Sequence, residues 1–227
     1  MKSLRTLSCA LLMLSVTAPI QATAQSEPIR LAPFRSVELR HGGKVVLRHG
    51  PTQRVTFLKG SPGYTRVTIV SGDELLVDKC RTKCARGYEL EIEIISPALA
   101  RVSVAEGGTL QSRGDFPPQA EIDVTVHNGG TVDIRSMAVS SVTGSVVSGG
   151  RIFAKPLTTM VASVVQGGII LYWGDARITQ SIEQGGVIER GTAADAEELP
   201  EERSDVDPTV PPIPPTPPTE PSRRRRP

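Results

Sequence analysis

The sequence predicts an all-β fold: a β-solenoid, resembling a parallel β-helix, with short coils of about 18–22 residues. Three observations predict it. Gly-Gly pairs recur at Gly107-Gly108, Gly129-Gly130, Gly149-Gly150, Gly167-Gly168 and Gly185-Gly186, at intervals of 22, 20, 18 and 18 residues. Aliphatic residues flank every pair. Val104, Val126, Val146, Val164 and Ile182 stand three before it, and Leu110, Val132, Ile152, Ile170 and Ile188 two after. Polar columns alternate with the aliphatic ones: Ser103, Thr125, Ser145, Ser163 and Ser181 precede each pair by four residues. β-Branched side chains alternating with polar ones read as strands with one buried face. Glycine reaches positive φ without strain, so each pair is a corner between two strands. A period near twenty is too short for a βαβ unit, which needs roughly 30 residues.

Along the chain, residues 1–24 read as an export signal. Lys2 and Arg5 form a positive start, Leu7 to Ile20 an apolar stretch, and Ala22-Thr23-Ala24 a cleavage site, so Gln25 begins the mature chain. The apolar stretch is too short to span a bilayer comfortably. Residues 25–32 are a lead-in. The solenoid domain is expected over residues 33–191, beginning with irregular coils. Gly42-Gly43 obeys the corner rule, with Leu39 before it and Val45 after. The 65 residues from there to Gly108 correspond to about three coils or to capping hairpins. Strand-like runs lie at Arg54 to Phe57, Arg66 to Val70, Glu74 to Val77 and Glu89 to Ile95, separated by turn signals such as Ser71-Gly72-Asp73. A cap is expected because a bare end exposes unpaired strand edges.

After Gly191 the pattern stops. Residues 192–227 are expected to be a disordered tail: an acidic block, then eight prolines from Pro208 to Pro221, then Arg223, Arg224, Arg225 and Arg226. The proline-rich part suits extended polyproline II, and the arginine run is a candidate anchor to an anionic surface.

Charge and cysteine usage narrow the function. The formal net charge is +2, and without Lys2 and Arg5 the basic and acidic counts are equal. That balance is no nucleic-acid signature. Export leaves Cys80 and Cys84, which read as a candidate disulfide clipping a short loop. No second hydrophobic segment follows the signal, so no transmembrane helix is expected in the mature chain. The expected location is the periplasm or the cell surface.

Catalytic and metal motifs are missing. His41, His49 and His127 show no HExxH spacing, and there is no G-x-S-x-G elbow or P-loop. No cofactor is implied. Glu121 and Asp123 alternate on one strand, with Asp133 nearby. These carboxylates are the basis of an alternative reading as a polysaccharide lyase or hydrolase. Five residues after the corner stand Arg48, Arg113, Arg135 and Lys155. Stacked like charges repel unless an anion meets them, so this column is a candidate anion-binding stripe.

Three stretches carry a family resemblance: Phe34 to Leu39, Pro97 to Gly108, and the run from Gly167 through Tyr172-Trp173-Gly174-Asp175 to Gly186. Together they resemble the putative auto-transporter adhesin head GIN domain, over roughly residues 33–191. The sequence departs from the family in showing Gly-Gly where members commonly show Gly-Ser-Gly. The resemblance implies an exported β-solenoid of the bacterial envelope and no catalytic residues. The function expected is therefore a non-enzymatic, adhesin-like binding or structural module, with an anionic glycan or envelope polymer as partner. A self-assembling envelope scaffold is a further alternative.

Overall fold

A computed structural model describes residues 28–80 and 84–196. The expected export signal and nearly all of the expected tail, including Arg223 to Arg226, lie outside these residues. The chain runs through β1 (Ser36–Arg40), β2 (Lys44–His49), β3 (Arg54–Lys59), β4 (Thr65–Val70), β5 (Glu74–Lys79) and β6 (Glu91–Ser96). It continues through β7 (Arg101–Ala105), β8 (Thr109–Arg113), β9 (Gln119–His127), β10 (Thr131–Asp133), β11 (Val139–Ser148) and β12 (Arg151–Ala154). Last come β13 (Pro156–Gln166), β14 (Ile169–Tyr172), β15 (Arg177–Gln184), β16 (Val187–Arg190) and the single-turn α1 (Ala193–Ala196).

The fold is all-β, in two eight-stranded sheets. A broad sheet has the order β15-β13-β11-β9-β7-β1-β5-β4, and a narrow one the order β16-β14-β12-β10-β8-β2-β6-β3. Apart from the antiparallel pairs β3 with β6 and β4 with β5, neighbouring strands are parallel, and the chain crosses from one sheet to the other at each Gly-Gly corner. Parallel sheets covered on one face must bury their aliphatic residues between them.

The aliphatic columns read from sequence are ladders in space. In the broad sheet Leu39, Val104, Val126, Val146, Val164 and Ile182 are successive register partners. The first five are fully buried. Opposite them, Val45, Leu110, Val132, Ile152, Ile170 and Ile188 form the matching ladder of the narrow sheet. Each buried Val or Ile contributes about 1.5–3 kcal/mol relative to exposure. A third ladder runs Val37, Val102, Val124, Gly144, Ala162 and Gln180. It loses its side chain at Gly144 because the Met160 methyl occupies that space, 3.1 Å from where a Cβ would stand.

The corners repeat in detail. At Gly130, φ is +101°, and an added Cβ would lie 2.6 Å from Val104 Cγ1 and 3.0 Å from the Gly108 carbonyl oxygen. The second glycine is thus required by conformation and by close approach together. Its carbonyl accepts from the next layer: Thr109 N–H donates to Gly43, Thr131 to Gly108 and Arg151 to Gly130, each at 2.9 Å.

The early region departs from the expectation of three coils lying between Gly43 and Gly107. Those two corners are direct neighbours, because β1 pairs with β7 and β2 with β8. The intervening chain sits on the other side. β5 and β6 add parallel to β1 and β2, and then β4 and β3 close each sheet in antiparallel orientation. β4 and β5 form a hairpin through Ser71 and Gly72, both at positive φ. Gln53 ties this end to the lead-in: its side-chain oxygen accepts from Phe34 N–H, and its nitrogen donates to the Phe34 carbonyl and to Ser96 Oγ.

Candidate functional site

The outer face of the broad sheet is wider than that of the narrow one, because β9, β11, β13 and β15 are 8–11 residues long while β10, β12, β14 and β16 have 3 or 4. Side chains alternate, so the residues between the buried aliphatics point outward. Ser103, Thr125, Ser145, Ser163 and Ser181 are register partners in one unbroken row. Strand spacing sets such hydroxyls roughly 4.8 Å apart. Beside them run Arg101, Asp123, Thr143, Val161 and Thr179.

Toward β1 and β5 this face becomes charged. A groove of about 530 Å³ there is lined by Glu38, Arg40, Glu74, Arg101, Asp123 and His127 together with hydroxyls of the row. Arg40 Nη2 stands 2.7 Å from Glu38 Oε2, and Arg101 Nη2 3.4 Å from Asp123 Oδ2. The Glu38 hydrogen bond raises the Arg40 pKa. Burial is the main force pushing the Glu74 carboxyl up, and the Glu38 carboxylate adds to it against Arg40 and Arg101. The groove therefore offers charges of both signs to a ligand.

The sequence-derived candidates fall in different places. Cys80 and Cys84 are joined by a disulfide after β5. Arg48 and Arg113 are register partners on the narrow sheet, and Arg48 Nε lies 2.8 Å from Glu93 Oε1. Arg113 donates to Gln111 at 3.4 Å. Arg135 turns onto its own strand, with Nε 2.9 Å from Asp133 Oδ1 and Nη2 2.8 Å from Oδ2. Its guanidinium also covers the Phe153 and Trp173 rings, at 5.4 and 4.9 Å from their centroids. Lys155 is exposed in the one-residue link between β12 and β13. The four cations therefore split into an adjacent arginine pair, a guanidinium engaged with a carboxylate and two rings, and a separate lysine.

The three carboxylates of the hydrolase reading are not gathered on one face. Glu121 and Asp123 belong to β9 of the broad sheet, and Asp133 to β10 of the narrow one. Asp133 is 4% exposed and held by Arg135. Among the described residues no cluster of three or more His, Cys, Asp or Glu suits a metal ion. No helix among them is long and apolar enough to cross a membrane.

One polar constellation went unread in the sequence. His41 Nδ1 lies 2.6 Å from Asp78 Oδ1, and Nε2 lies 2.5 Å from Glu106 Oε2. The signal was present: His41 and Glu106 each stand immediately before a Gly-Gly corner, so the repeat alignment places them side by side. Both take positive φ, at 60° and 62°.

Residues 33–168 match the family model described as putative auto-transporter adhesin, head GIN domain. The strand ladders continue beyond that segment to β16. No curated protein matches the chain. Among solved structures it is similar to a putative adhesin from Bacteroides fragilis NCTC 9343, at 14% identity and a TM-score of 0.49, over 73% of this chain and 96% of that one. It is also similar to a putative adhesin from Parabacteroides merdae ATCC 43184, at 11% identity and a TM-score of 0.34, over 75% and 98% of the two chains. A third is a putative lipid binding protein from Parabacteroides distasonis ATCC 8503, at 12% identity and a TM-score of 0.32, over 74% and 96%.

Proposed function

The chain belongs to the putative auto-transporter adhesin head GIN domain family, and from that membership we propose that it is an exported, non-enzymatic, adhesin-like module of the cell envelope. Its body, residues 33–191, is a β-solenoid carried past the membrane by the signal of residues 1–24. The broad sheet presents the binding face, and the ligand is an extended envelope glycan.

The unbroken hydroxyl row from Ser103 to Ser181 carries this reading. A polysaccharide also repeats its hydroxyls, and a flat ladder can meet several of them with donors and acceptors at once. The charged groove at one end gives the face a direction, and Arg101 there can take a carboxylate or sulfate of an acidic glycan. The Arg48–Arg113 register pair is a second place for an anionic contact, where a ligand would share Arg48 with Glu93, 2.8 Å from its Nε. The arginine run of residues 223–226 is an anchor on the same class of polymer.

Whole-cell and glycan-array binding of the full chain tests the reading. Binding that weakens as salt rises, and that Ser145→Val with Ser163→Val diminishes at least fivefold, is the expected result. Silence across wall, capsule and host glycans overturns it. Cell fractionation with surface protease shaving tests export: recovery of the chain in the cytoplasmic fraction sinks that half of the proposal.

A further inference from the structure

The strand at the far end of the broad sheet is exposed along most of its length. Among the described residues β15 is the last strand of that sheet and pairs with β13 alone, so its other edge offers a row of backbone N–H and C=O groups. Seven of its eight residues are exposed. Ile182 is 44% exposed at the end of a ladder whose inner members are fully buried. Val187 on the adjoining β16 edge is 39% exposed.

Its sequence, Arg177-Ile178-Thr179-Gln180-Ser181-Ile182-Glu183, is complementary to itself when reversed. In an antiparallel pair, directly opposed residues point to the same side of the sheet. A two-fold axis through Gln180 opposes each residue with a partner of fitting chemistry. Ile178 faces Ile182 of the other copy, both on the inner side, since their register partners Met160 and Val164 are buried. Gln180 faces Gln180, amide to amide. Thr179 faces Ser181, and Arg177 faces Glu183, all on the outer side. The symmetry makes the ion pair and the isoleucine pair each occur twice. Shifting the register by one residue would oppose inner side chains to outer ones.

We infer that two copies of this chain associate through β15 in this antiparallel register, closing the open end and carrying the aliphatic ladder across the axis from one copy to the next. A symmetric contact of one patch with itself closes at two subunits. The chain's own C-terminal segment is a poor competitor for the edge. Eight of its fourteen residues from Pro208 to Pro221 are proline, which cannot donate to a ladder. Seven of the sixteen residues before that stretch, from Thr192 to Asp207, are acidic.

Light scattering of the full chain over a concentration series, with circular dichroism as the fold control, tests the inference. The expected wild-type species is a reversible dimer. Arg177→Glu alone, or Glu183→Arg alone, sets like charges opposite each other at two points, and should weaken the dimer by about ten- to a hundredfold. The two single variants mixed together should dimerise with each other, because both contact points then regain opposite charges. The double variant R177E/E183R should recover self-association. A wild-type chain that stays monomeric throughout overturns the proposal. So does a dimer indifferent to either single change, a mixture that does not associate, or a mass that keeps growing with concentration as head-to-tail stacking would give.

Discussion

The two ends of the strand stack are finished in opposite ways. At one end β3 and β4 reverse direction and lie antiparallel on β6 and β5. Ile29 from the lead-in bridges to Val55. The Tyr88 hydroxyl accepts from Ser61 N–H at 3.0 Å and lies 2.7 Å from Thr65 Oγ1. β3 also carries a register irregularity and a lysine on its edge, both of which discourage further pairing. At the other end the Gly-Gly repeat continues into β15 and β16, Gln180 takes a ladder position held by Val, Gly or Ala in the inner layers, and among the described residues nothing covers the ladder residue Ile182, 44% exposed. A parallel ladder has no stop of its own, because every layer is a template for the next. Ending it takes a different kind of segment, and among the described residues β3 and β4 supply one at the β1–β6 end.

The sharpest way to break this contrast is to injure both ends alike. An alanine Cβ at Gly108 would stand 2.9 Å from Leu39 Cδ2 and 3.0 Å from the Gly43 carbonyl, at φ +98°. At Gly186 it would stand 2.5 Å from Val164 Cγ1 and 2.9 Å from the Gly168 carbonyl, at φ +120°. The clash is of the same kind, but the surroundings differ. Gly108 lies between two complete layers and cannot retreat, so Gly108→Ala should cost about 3 kcal/mol or more in urea denaturation of the whole domain. Gly186 belongs to the last layer, which can fray. Gly186→Ala should cost about 1 kcal/mol globally and speed amide exchange in β15 and β16 alone. Equal global losses would show that the ends are equivalent.

Next in size is the clamp at the closed end. Gln53→Leu removes three hydrogen bonds and leaves the Phe34 N–H without its partner, so it should cost about 2–3 kcal/mol. Trp173 is the only tryptophan and lies toward the open end, against Gly191. Its fluorescence should therefore report unfolding at lower urea than far-UV circular dichroism, and Gln53→Leu should narrow the gap by weakening the closed end. Coincident transitions in both proteins would argue for one cooperative unit without a weak end. Tyr88→Phe is the milder version. It removes one hydroxyl shared by Ser61 and Thr65 while keeping the ring against Tyr64, and should cost about 1 kcal/mol.

How much of this was legible in the sequence follows the same division. The repeating part could be read because each layer uses the same residue type at the same place: Val126, Val146 and Val164 form one column in the alignment and one ladder in space. The early strands could be placed from their alternation and turns, but their order could not. Pairing of β1 with both β5 and β7 depends on how a 51-residue excursion, from Gly50 to Ala100, packs back. No local pattern encodes that. The candidate site divides likewise. The hydroxyl row was visible as a column. The fate of Arg135 depended on Asp133 two residues away and on two rings from later layers, so a column of basic residues overstated what a ligand could meet.

The smallest expected effect concerns the closed end alone and has a definite sign. Burial raises the Glu74 carboxyl pKa above its usual 4.5, and the Glu38 carboxylate raises it further. The folded chain therefore holds this proton more tightly than the unfolded chain does. Well below pH 4.5 both states are protonated, and the group's favourable contribution is fully present. As pH rises through the folded value that contribution is lost, since the unfolded state ionises first. Glu74→Gln fixes the neutral form. It should leave stability unchanged near pH 3 and raise it slightly at pH 7, read as a shift in urea midpoint. The partial exposure of Glu74 keeps the gain small. The same substitution pattern at the open end, Glu183→Gln, has no buried carboxylate to relieve, and by loosening the ion pair with Arg177 of a second copy it should weaken association at pH 7. A gain in self-association on Glu183→Gln would mean that the exposed edge is kept apart by its charges rather than joined by them.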